Sequence, residues 1–205
     1  MRVLVACEES QAVCKEFRRL GHEAFSCDIL PCSGGHPEWH IQGNVLKVIN
    51  GGNWELECGY KNLWIDKWDM MIAHPPCTRL CNSGVCWLHK RNLWKEMEEG
   101  AKFFKALLDS NIPKIAVENP IMHKYAVEII GRRQDQIVQP WMFGHGETKA
   151  TCLWLKGLPK LKPTKIVEGR EQRLHKLPPS KDRAMLRSKT FPGIAKAIAE
   201  QWGKI

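Results

Sequence analysis

The stretch Asp69-Met-Met-Ile-Ala-His-Pro-Pro-Cys-Thr-Arg-Leu-Cys81 decides how the rest of the chain is organised. Its apolar run, residues 70–73, predicts a strand that is buried on both faces. Two prolines follow, and because proline has no backbone N–H, the strand must end at His74. Cys77 therefore stands on a stiff loop after a buried strand. In open α/β sheets, this edge is where ligands bind.

The composition indicates one globular domain. The chain has 205 residues, of which 43% are hydrophobic and 26% charged, as is usual for a globular protein. No apolar run approaches the ~18 residues of a membrane span, and the opening MRVLVACEES is typical of a first strand rather than an export signal. We therefore expect a cytoplasmic protein whose nine cysteines, an odd number, are reduced.

The positive charge is concentrated late in the chain. The formal net charge is +9, and residues 156–189 contain eleven Lys or Arg against three Asp or Glu. Such a segment predicts a surface that contacts nucleic-acid phosphates. A solvated basic loop is the plainer alternative. We expect a single domain, 1–205, with segment 156–189 as a nucleic-acid-contacting insertion.

Alternating strands and helices predict an α/β protein with a doubly wound, mostly parallel sheet and helices on both faces. A strand at 2–6, a helix at 11–20 and a strand at 23–29 make a βαβ opening. Asp28 lies near the end of the second strand, where an acid commonly holds a ribose. We expect further helices at 94–110, 122–130 and 192–202, further strands at 114–117, 136–141 and 150–155, an irregular stretch at 51–67 and a mobile loop at 78–93.

A carboxylate should lie at the same edge as the thiol. The strand at 114–117 ends in Glu118-Asn119-Pro120, and parallel strands end at one edge. A thiolate can add to a conjugated ring while an acid protonates the ring nitrogen that gains electron density. A cytosine ring fits this pair, since addition at carbon 6 makes carbon 5 nucleophilic. The plainer alternatives are a buried structural cysteine and a structural acid.

A metal site is the competing interpretation of the same cysteines. Thiolates and imidazoles can bind zinc, and the spacing C-x3-C-x4-C-x2-H runs from Cys77 to His89. The intervals are not those of common zinc fingers, and Cys77 would be used as a ligand, so we predict no metal. The other residues that this alternative would use are Cys27, Cys32, His36 and His40.

Pro76-Cys77 and Glu118-Asn119 resemble the nucleophile and acid motifs of the DNA cytosine-5 methyltransferases. The similarity is greater to a compact group of such proteins found in bacteriophages and prophages. It covers most of the chain in the right order, through VLVACEESQAV, GHEAFSCDILP, HIQGNVL, MIAHPPCTRLCNSG, IAVENPIMHKYA, QPWMFGHGETKATCLWLKGLPKLKPT and RSKTFPGIAKAIAEQW.

The resemblance implies a Rossmann-like methyltransferase sheet, S-adenosylmethionine as the cofactor and DNA as the partner. It implies Cys77 as the nucleophile and Glu118 as the acid. Arg79 follows the nucleophile by two residues, and we expect its charge to lower the cysteine's pKa. The residues implied to contact the cofactor are Cys7, Glu8, Glu9 and Ser10 at its methionine part, Asp28 at the ribose, Asn44 at the adenine, and His74 and Thr190 elsewhere around it.

The chain departs from the family's pattern at several positions. The glycine-rich first turn is replaced by Cys-Glu-Glu-Ser, and Asn44 stands where Asp is usual. The two-arginine motif that helps to hold the cytosine is not obvious, and its candidates are Lys149, Arg170 and Arg173. Without a separate target-recognition domain, segment 156–189 would contact the DNA. Two alternatives stay open: a catalytically degenerate relative that binds DNA or cofactor, and an enzyme for RNA or a free pyrimidine nucleotide.

Overall fold

One large mixed sheet organises the computed structural model, which describes residues 1–205 apart from the side chain of Ala184. Two further strands form a separate hairpin. In chain order the strands are β1 (Arg2–Ala6), β2 (Glu23–Asp28), β3 (His40–Gln42), β4 (Gly52–Glu55), β5 (Asn62–Ile65), β6 (Met70–Ala73), β7 (Lys114–Asn119), β8 (Gln136–Val138) and β9 (Thr151–Lys156).

The strand order of the large sheet is β3-β2-β1-β6-β7-β9-β8. The first five strands of this order are parallel to one another, whereas β9 runs antiparallel to both of its neighbours. The chain goes outward from β1 to β3 and then returns to the middle of the sheet at β6. The prediction of a doubly wound, mostly parallel Rossmann-like sheet is confirmed.

Helices cover both faces of this sheet. On one face Phe17 and Trp202 are buried in one apolar core, and on the other face Phe104 and Trp154 are buried in a second core, with ring centroids 4.9 Å apart. No helix in the described part of the chain has the length and apolarity to cross a bilayer. The helices are α1 (Ala12–Arg19), α2 (Val45–Val48), α3 (Val85–Arg91), α4 (Trp94–Leu108), α5 (Lys124–Ile130), α6 (Arg173–Lys176), α7 (Arg183–Ser188) and α8 (Pro192–Trp202).

Two stretches differ from the prediction. Residues 51–67 contain the β4–β5 hairpin, in which Ile65 is buried but most neighbours are exposed, so the alternation of apolar residues is weak. Residues 78–93 contain α3, of which Leu88 is the buried side chain. A seven-residue helix with one buried residue gives no clear 3.6-residue period. The expectations of an irregular stretch and of a loop are therefore wrong at these two places.

The middle of the sheet creates a crevice at its carboxyl edge. Ala6 of β1 is paired with Ala73 of β6, and Ala73 is paired with Val117 of β7. After β1 the chain crosses to one face, and after β6 it crosses to the other, so the loops diverge between these strands. Such a switch point is where open α/β sheets bind ligands.

Candidate active site

The register of β6 and β7 brings His74 and Glu118 together. Each residue directly follows a registered pair, Ala73 and Val117, so the two side chains are neighbours at the carboxyl edge. His74 Nδ1 and Glu118 Oε2 are 2.8 Å apart. The two side chains are 14% and 16% exposed. The pair is therefore largely shielded from water but still reached from one side.

His74 and Glu118 hold each other in the charged form. Burial alone would lower the pKa of His74, but the hydrogen bond and charge of Glu118, together with the charge of Glu8, outweigh it and raise the pKa. Burial alone would raise the pKa of Glu118, but His74 and Lys149 lower it. The second ring nitrogen of His74, Nε2, is buried and has no hydrogen-bond partner among the described residues. It is free to bond to a ligand.

The loop that carries Cys77 is fixed to its neighbours. Asn119 Nδ2 donates to the Pro75 carbonyl at 3.1 Å, so the residue after Glu118 holds the first proline. The amides of Leu80 and Cys81 both donate to the Cys77 carbonyl, at 2.9 and 3.0 Å. These bonds wind the chain into one turn directly after the nucleophile candidate. The position of the Cys77 loop is therefore fixed by a side-chain bond before Cys77 and by backbone bonds after it.

The Cys77 and Cys81 thiols perturb each other's ionisation. The interaction with Cys81, burial and the charge of Glu118 raise the pKa of Cys77. The interaction with Cys77 lowers the pKa of Cys81 to about 5, with the Ser83 hydroxyl 3.3 Å from its sulfur. Cys81 is therefore the member of the pair that ionises first, and its charge disfavours the thiolate of Cys77. The i, i+4 spacing of Cys77 and Cys81 in the sequence was the signal for this interaction. We expected the charge of Arg79 to lower the pKa of Cys77, but Arg79 is not among the main influences on it.

A narrow cleft, with a volume of about 10 Å³, lies beside the His74–Glu118 pair. Lys149, Thr190 and Phe191 line it, with aliphatic side chains behind them. Lys149 reaches this place because β9 is antiparallel, so the start of β9 lies beside the end of β7. Its Nζ donates to the Lys189 carbonyl at 3.3 Å. The structure thus brings Lys149 and Thr190 to the acid rather than to an outer surface.

Asp28 and Asn44 meet at the same edge, two strands away from the cleft. The amide of Gly43 donates to the Asp28 carbonyl at 2.8 Å, which places Asn44 next to the end of β2. Asp28 Oδ1 accepts from the Leu30 amide at 2.9 Å, and burial raises the pKa of Asp28. Asn44 Oδ1 accepts from the amide of Leu46 and caps α2. Ile29 was missed in the sequence; it is 74% exposed beside Asp28 and offers an apolar surface to a flat ring.

The turn between β1 and α1 has two residues in a backbone conformation that usually requires glycine, although neither residue is glycine. Cys7 and Gln11 have φ angles of 58° and 57°, in the left-handed region that favours glycine. Glu8 is 3% exposed, and its carboxylate accepts from the amides of Val13 and Cys14 at 2.7 and 3.2 Å. It therefore binds the N-terminus of α1 and is not available to a cofactor. Burial raises the pKa of Glu8.

The remaining candidates lie at different places. Glu9 and Ser10 are half-exposed on the first turn. The Arg170 guanidinium carbon lies 3.9 Å from the ring centroid of Trp141, and Arg173 forms ion pairs with Glu147 and Glu171 at 2.9 and 3.3 Å. Neither arginine lines the cleft. Both belong to the surface of segment 156–189.

The residues that a zinc site would use are not brought together in the described part of the structure. All nine cysteines are free thiols. Among the residues that the structure describes, no three His, Cys, Asp or Glu side chains come together as metal ligands would. Cys86 is exposed on α3, apart from the Cys77–Cys81 pair.

Comparison with known proteins gives similarities at the level of solved structures. No protein-family model and no curated protein matches the sequence. One similar structure is described as a DNA modification methyltransferase encoded within an E. coli prophage, with 15% identity, a TM-score of 0.49 and coverage of 87% of this chain and 55% of that one. Another is the Entamoeba histolytica methyltransferase EhMeth, with 13% identity, a TM-score of 0.46 and coverage of 82% and 57%. The chain spans a little over half the length of each.

Proposed function

We propose that the protein is an S-adenosylmethionine-dependent methyltransferase that acts on carbon 5 of cytosine in DNA. The observation that carries this proposal is the pairing of a thiol on a fixed loop, Cys77, with a shielded carboxylate, Glu118, at the switch point of the sheet. The charge of Glu118 is near enough to influence the pKa of Cys77. A soft nucleophile and a proton-handling group at the same edge of one sheet suit addition to a conjugated ring.

In the proposed reaction the sulfur of Cys77 bonds to carbon 6 of cytosine. The electron pair of the C5=C6 double bond moves to carbon 5, and the ring nitrogen N3 gains a proton. When bound, S-adenosylmethionine supplies the electrophilic methyl group that carbon 5 accepts. Carbon 5 then loses its proton to solvent, the electron pair of that C–H bond re-forms the C5=C6 double bond, and the sulfur of Cys77 leaves carbon 6 as the thiolate while N3 gives back its proton.

His74 supports Glu118 in this proposal. The lowered pKa of Glu118 means that its carboxylate is ionised near neutral pH, so it cannot itself store the proton that N3 needs. The imidazolium of His74 carries that proton 2.8 Å away. Glu118 would accept this proton from His74 and pass it to N3, while the bond to His74 fixes the orientation of the carboxylate.

The residues present fit the nucleoside end of S-adenosylmethionine. Asp28 is the last residue of β2, and its Oδ1 accepts a hydrogen bond from the amide of Leu30 in the turn that follows. The neighbouring Ile29 exposes an apolar surface that would pack against adenine. Asn44 would contact the same ring. At the methionine end, Glu8 is turned into α1, so the contacts would come from the backbone of residues 9–12 and from His74 and Thr190 at the cleft.

Segment 156–189 is the proposed DNA surface. Most of its basic side chains are exposed, and within it only Arg173 forms an ion pair among the described side chains. Unpaired cations on one segment suit phosphate contacts. A protein with reduced cysteines that acts on DNA would work in the cytoplasm, which is that of the host cell if the protein is phage-encoded.

The test of the proposed function is nucleoside mass spectrometry of DNA from cells that express the protein. We expect a 5-methylcytosine signal that disappears in Cys77→Ala. Cys58→Ala, at a half-exposed cysteine outside the site, is the matched control and should keep the signal. A signal that persists in Cys77→Ala would exclude the covalent mechanism.

A relative that binds DNA without catalysis is the second candidate. It is favoured by Glu8, whose carboxylate occupies the helix N-terminus where a cofactor carboxylate would bind. Calorimetric titration with S-adenosylmethionine, with and without DNA, separates the two, since the binding module predicts no heat in either case. Methyl incorporation into duplex DNA, RNA and free nucleotide distinguishes the three substrates.

A further inference from the structure

A surface beside the nucleophile carries aromatic and basic side chains that the proposed mechanism does not use. It is formed by α3 and the start of α5, and we call it the α3–α5 surface. Its members are Trp87, His89, Lys90, Arg91, Lys124 and Tyr125. All but Tyr125 are exposed, and Tyr125 is half-buried.

Aromatic rings and cations alternate on this surface. Trp87 is 44% exposed, and the side-chain charges of Lys90 and Arg91 lie 5.5 and 4.5 Å from its ring centroid. Lys124 lies 5.0 Å from the ring of Tyr125, whose centroid is 6.1 Å from that of His89. Exposed rings next to cations are the elements that bind single nucleic-acid strands, because bases stack on the rings and phosphates meet the cations.

The charge of the surface has one sign. Residues 78–95 contain four Lys or Arg and no Asp or Glu. None of these four, nor Lys124, forms an ion pair with a side chain that the structure describes. The acids of α4 begin at Glu96, and Glu98 is bound to Lys102. A polyanion can therefore approach α3 without first breaking an ion pair.

The α3–α5 surface is tied to both halves of the candidate site. The loop after Cys77 and the loop after Glu118 are joined by His123, whose amide donates to the Leu80 carbonyl at 3.1 Å and whose Nε2 bonds to the Arg79 carbonyl at 2.8 Å. The amide of Asn82 donates to the Ile121 carbonyl at 2.8 Å. Helices α3 and α5 thus follow the nucleophile and the acid by a few fixed residues each.

We propose that the α3–α5 surface binds the DNA strand next to the target cytosine, with Trp87 stacking on a base that has lost its partner and Lys90 and Arg91 contacting the flanking phosphates. This inference rests on the proposed function and adds to it a second contact surface, separate from segment 156–189. A target base must leave the duplex to reach Cys77, and this exposes unpaired bases beside the site. An exposed indole at that position favours the opened state.

The experiment measures fluorescence anisotropy of short labelled DNA oligonucleotides in the Cys77→Ala background, where no chemistry interferes. Three probes of one sequence are compared: a matched duplex, a duplex with an abasic site opposite the cytosine, and the single strand. We expect Trp87→Ala to weaken binding to the abasic duplex and the single strand about tenfold, and to weaken binding to the matched duplex less. Trp87→Phe, which keeps an aromatic face, should recover most of the affinity.

The matched controls lie elsewhere on the molecule. Trp64 is 66% exposed on the β4–β5 hairpin, so Trp64→Ala removes an exposed indole of the same kind. Circular dichroism of each variant checks that it is folded. Equal binding of Trp87→Ala and Trp64→Ala to all three probes, by proteins that do bind DNA, would overturn the α3–α5 surface while leaving the proposed function intact.

Two other outcomes are distinct. If the wild-type protein binds none of the three DNA probes, the DNA function fails, and this inference fails with it. If it binds the RNA strand of the same sequence more tightly, and Trp87→Ala removes that preference, the assignment of the surface to DNA is overturned.

Discussion

His74 and Glu118 make the stability of the cleft depend on pH. The pKa of His74 is raised on folding, so its contribution is complete below the unfolded value of 6.5 and is lost as pH rises through the folded value. The pKa of Glu118 is lowered, so its contribution is complete above the unfolded value of 4.5 and is lost as pH falls through the folded value. The pair therefore stabilises the fold most between these two unfolded values.

His74→Gln should reveal this window. At about pH 6 we expect the variant to be less stable than wild type by about 1.5–3 kcal/mol, the range for a hydrogen bond to a charged group. The difference should shrink as pH rises above 6.5 and through the raised folded-state pKa of His74, where the proton is lost. Urea unfolding at several pH values measures it, with His175→Gln, at an exposed residue of α6, as the control. A difference that is constant across this range would mean that the two groups are not a charged pair.

Cys81 should control how readily Cys77 reacts. In Cys81→Ala the group that most raises the pKa of Cys77 is gone, so the pKa of Cys77 should fall towards the ordinary thiol range. We expect iodoacetamide alkylation of Cys77 at about pH 7 to become roughly tenfold faster. Cys81→Ser, which also removes the second ionisable thiol, should speed it as well. Peptide mass spectrometry follows the reaction, and unchanged rates in both variants would contradict the effect of Cys81 on Cys77.

At the scale of elements, the N-terminus of α1 is stabilised by Glu8, a residue that the sequence predicted to bind the cofactor. Glu8 binds two amides of the first turn of α1 from a buried position. In Glu8→Ala these amides lose their partner, and we expect a decrease of about 2 kcal/mol in the free energy of unfolding. Thermal melting should show a Tm lowered by roughly 5 °C.

Glu9→Ala is the matched control for this prediction. Glu9 is half-exposed, and its carboxylate has a single contact, at 3.4 Å from the Ser33 hydroxyl. Its replacement should change stability by less than about 0.5 kcal/mol. If the two alanine variants melted at the same temperature, Glu8 would not be the cap of α1.

The elements predicted best are those whose signals are local. β1 at Arg2–Ala6 and α8 at Pro192–Trp202 have the predicted bounds, because a dense apolar run and an N-terminal proline mark them directly. The approach of the Glu118 strand end to the Cys77 loop follows from parallel strands sharing an edge. The contact of His74 with Glu118 depends on the β6–β7 register, and the position of Lys149 depends on the reversed β9. Register and direction are set by packing over the whole sheet, so no local pattern contains them.

At the scale of the whole molecule, two basic surfaces lie on opposite sides of the sheet. Leu88 of α3 belongs to the core that includes Phe104, whereas Leu161 of segment 156–189 belongs to the core that includes Trp202. The His74–Glu118 pair lies at the carboxyl edge, where the two faces of the sheet meet. A duplex that crossed this edge would meet cations on both sides, which would compensate for the small contact area of a chain of this size.

Salt dependence of DNA binding tests whether both surfaces contact one duplex. We expect Lys90→Ala/Arg91→Ala and Lys181→Ala/Arg187→Ala each to reduce the slope of log K against log salt, by about 0.9 for each phosphate that the variant no longer neutralises. The two sets do not touch, so their effects should add in the fourfold variant. Lys61→Ala/Lys67→Ala, at exposed residues near the hairpin, is the control and should keep the wild-type slope. If the slope measured for the quadruple variant were no smaller than the slope of one double variant, only one of the two surfaces would bind the duplex. The DNA would then contact the protein on one side of the sheet only.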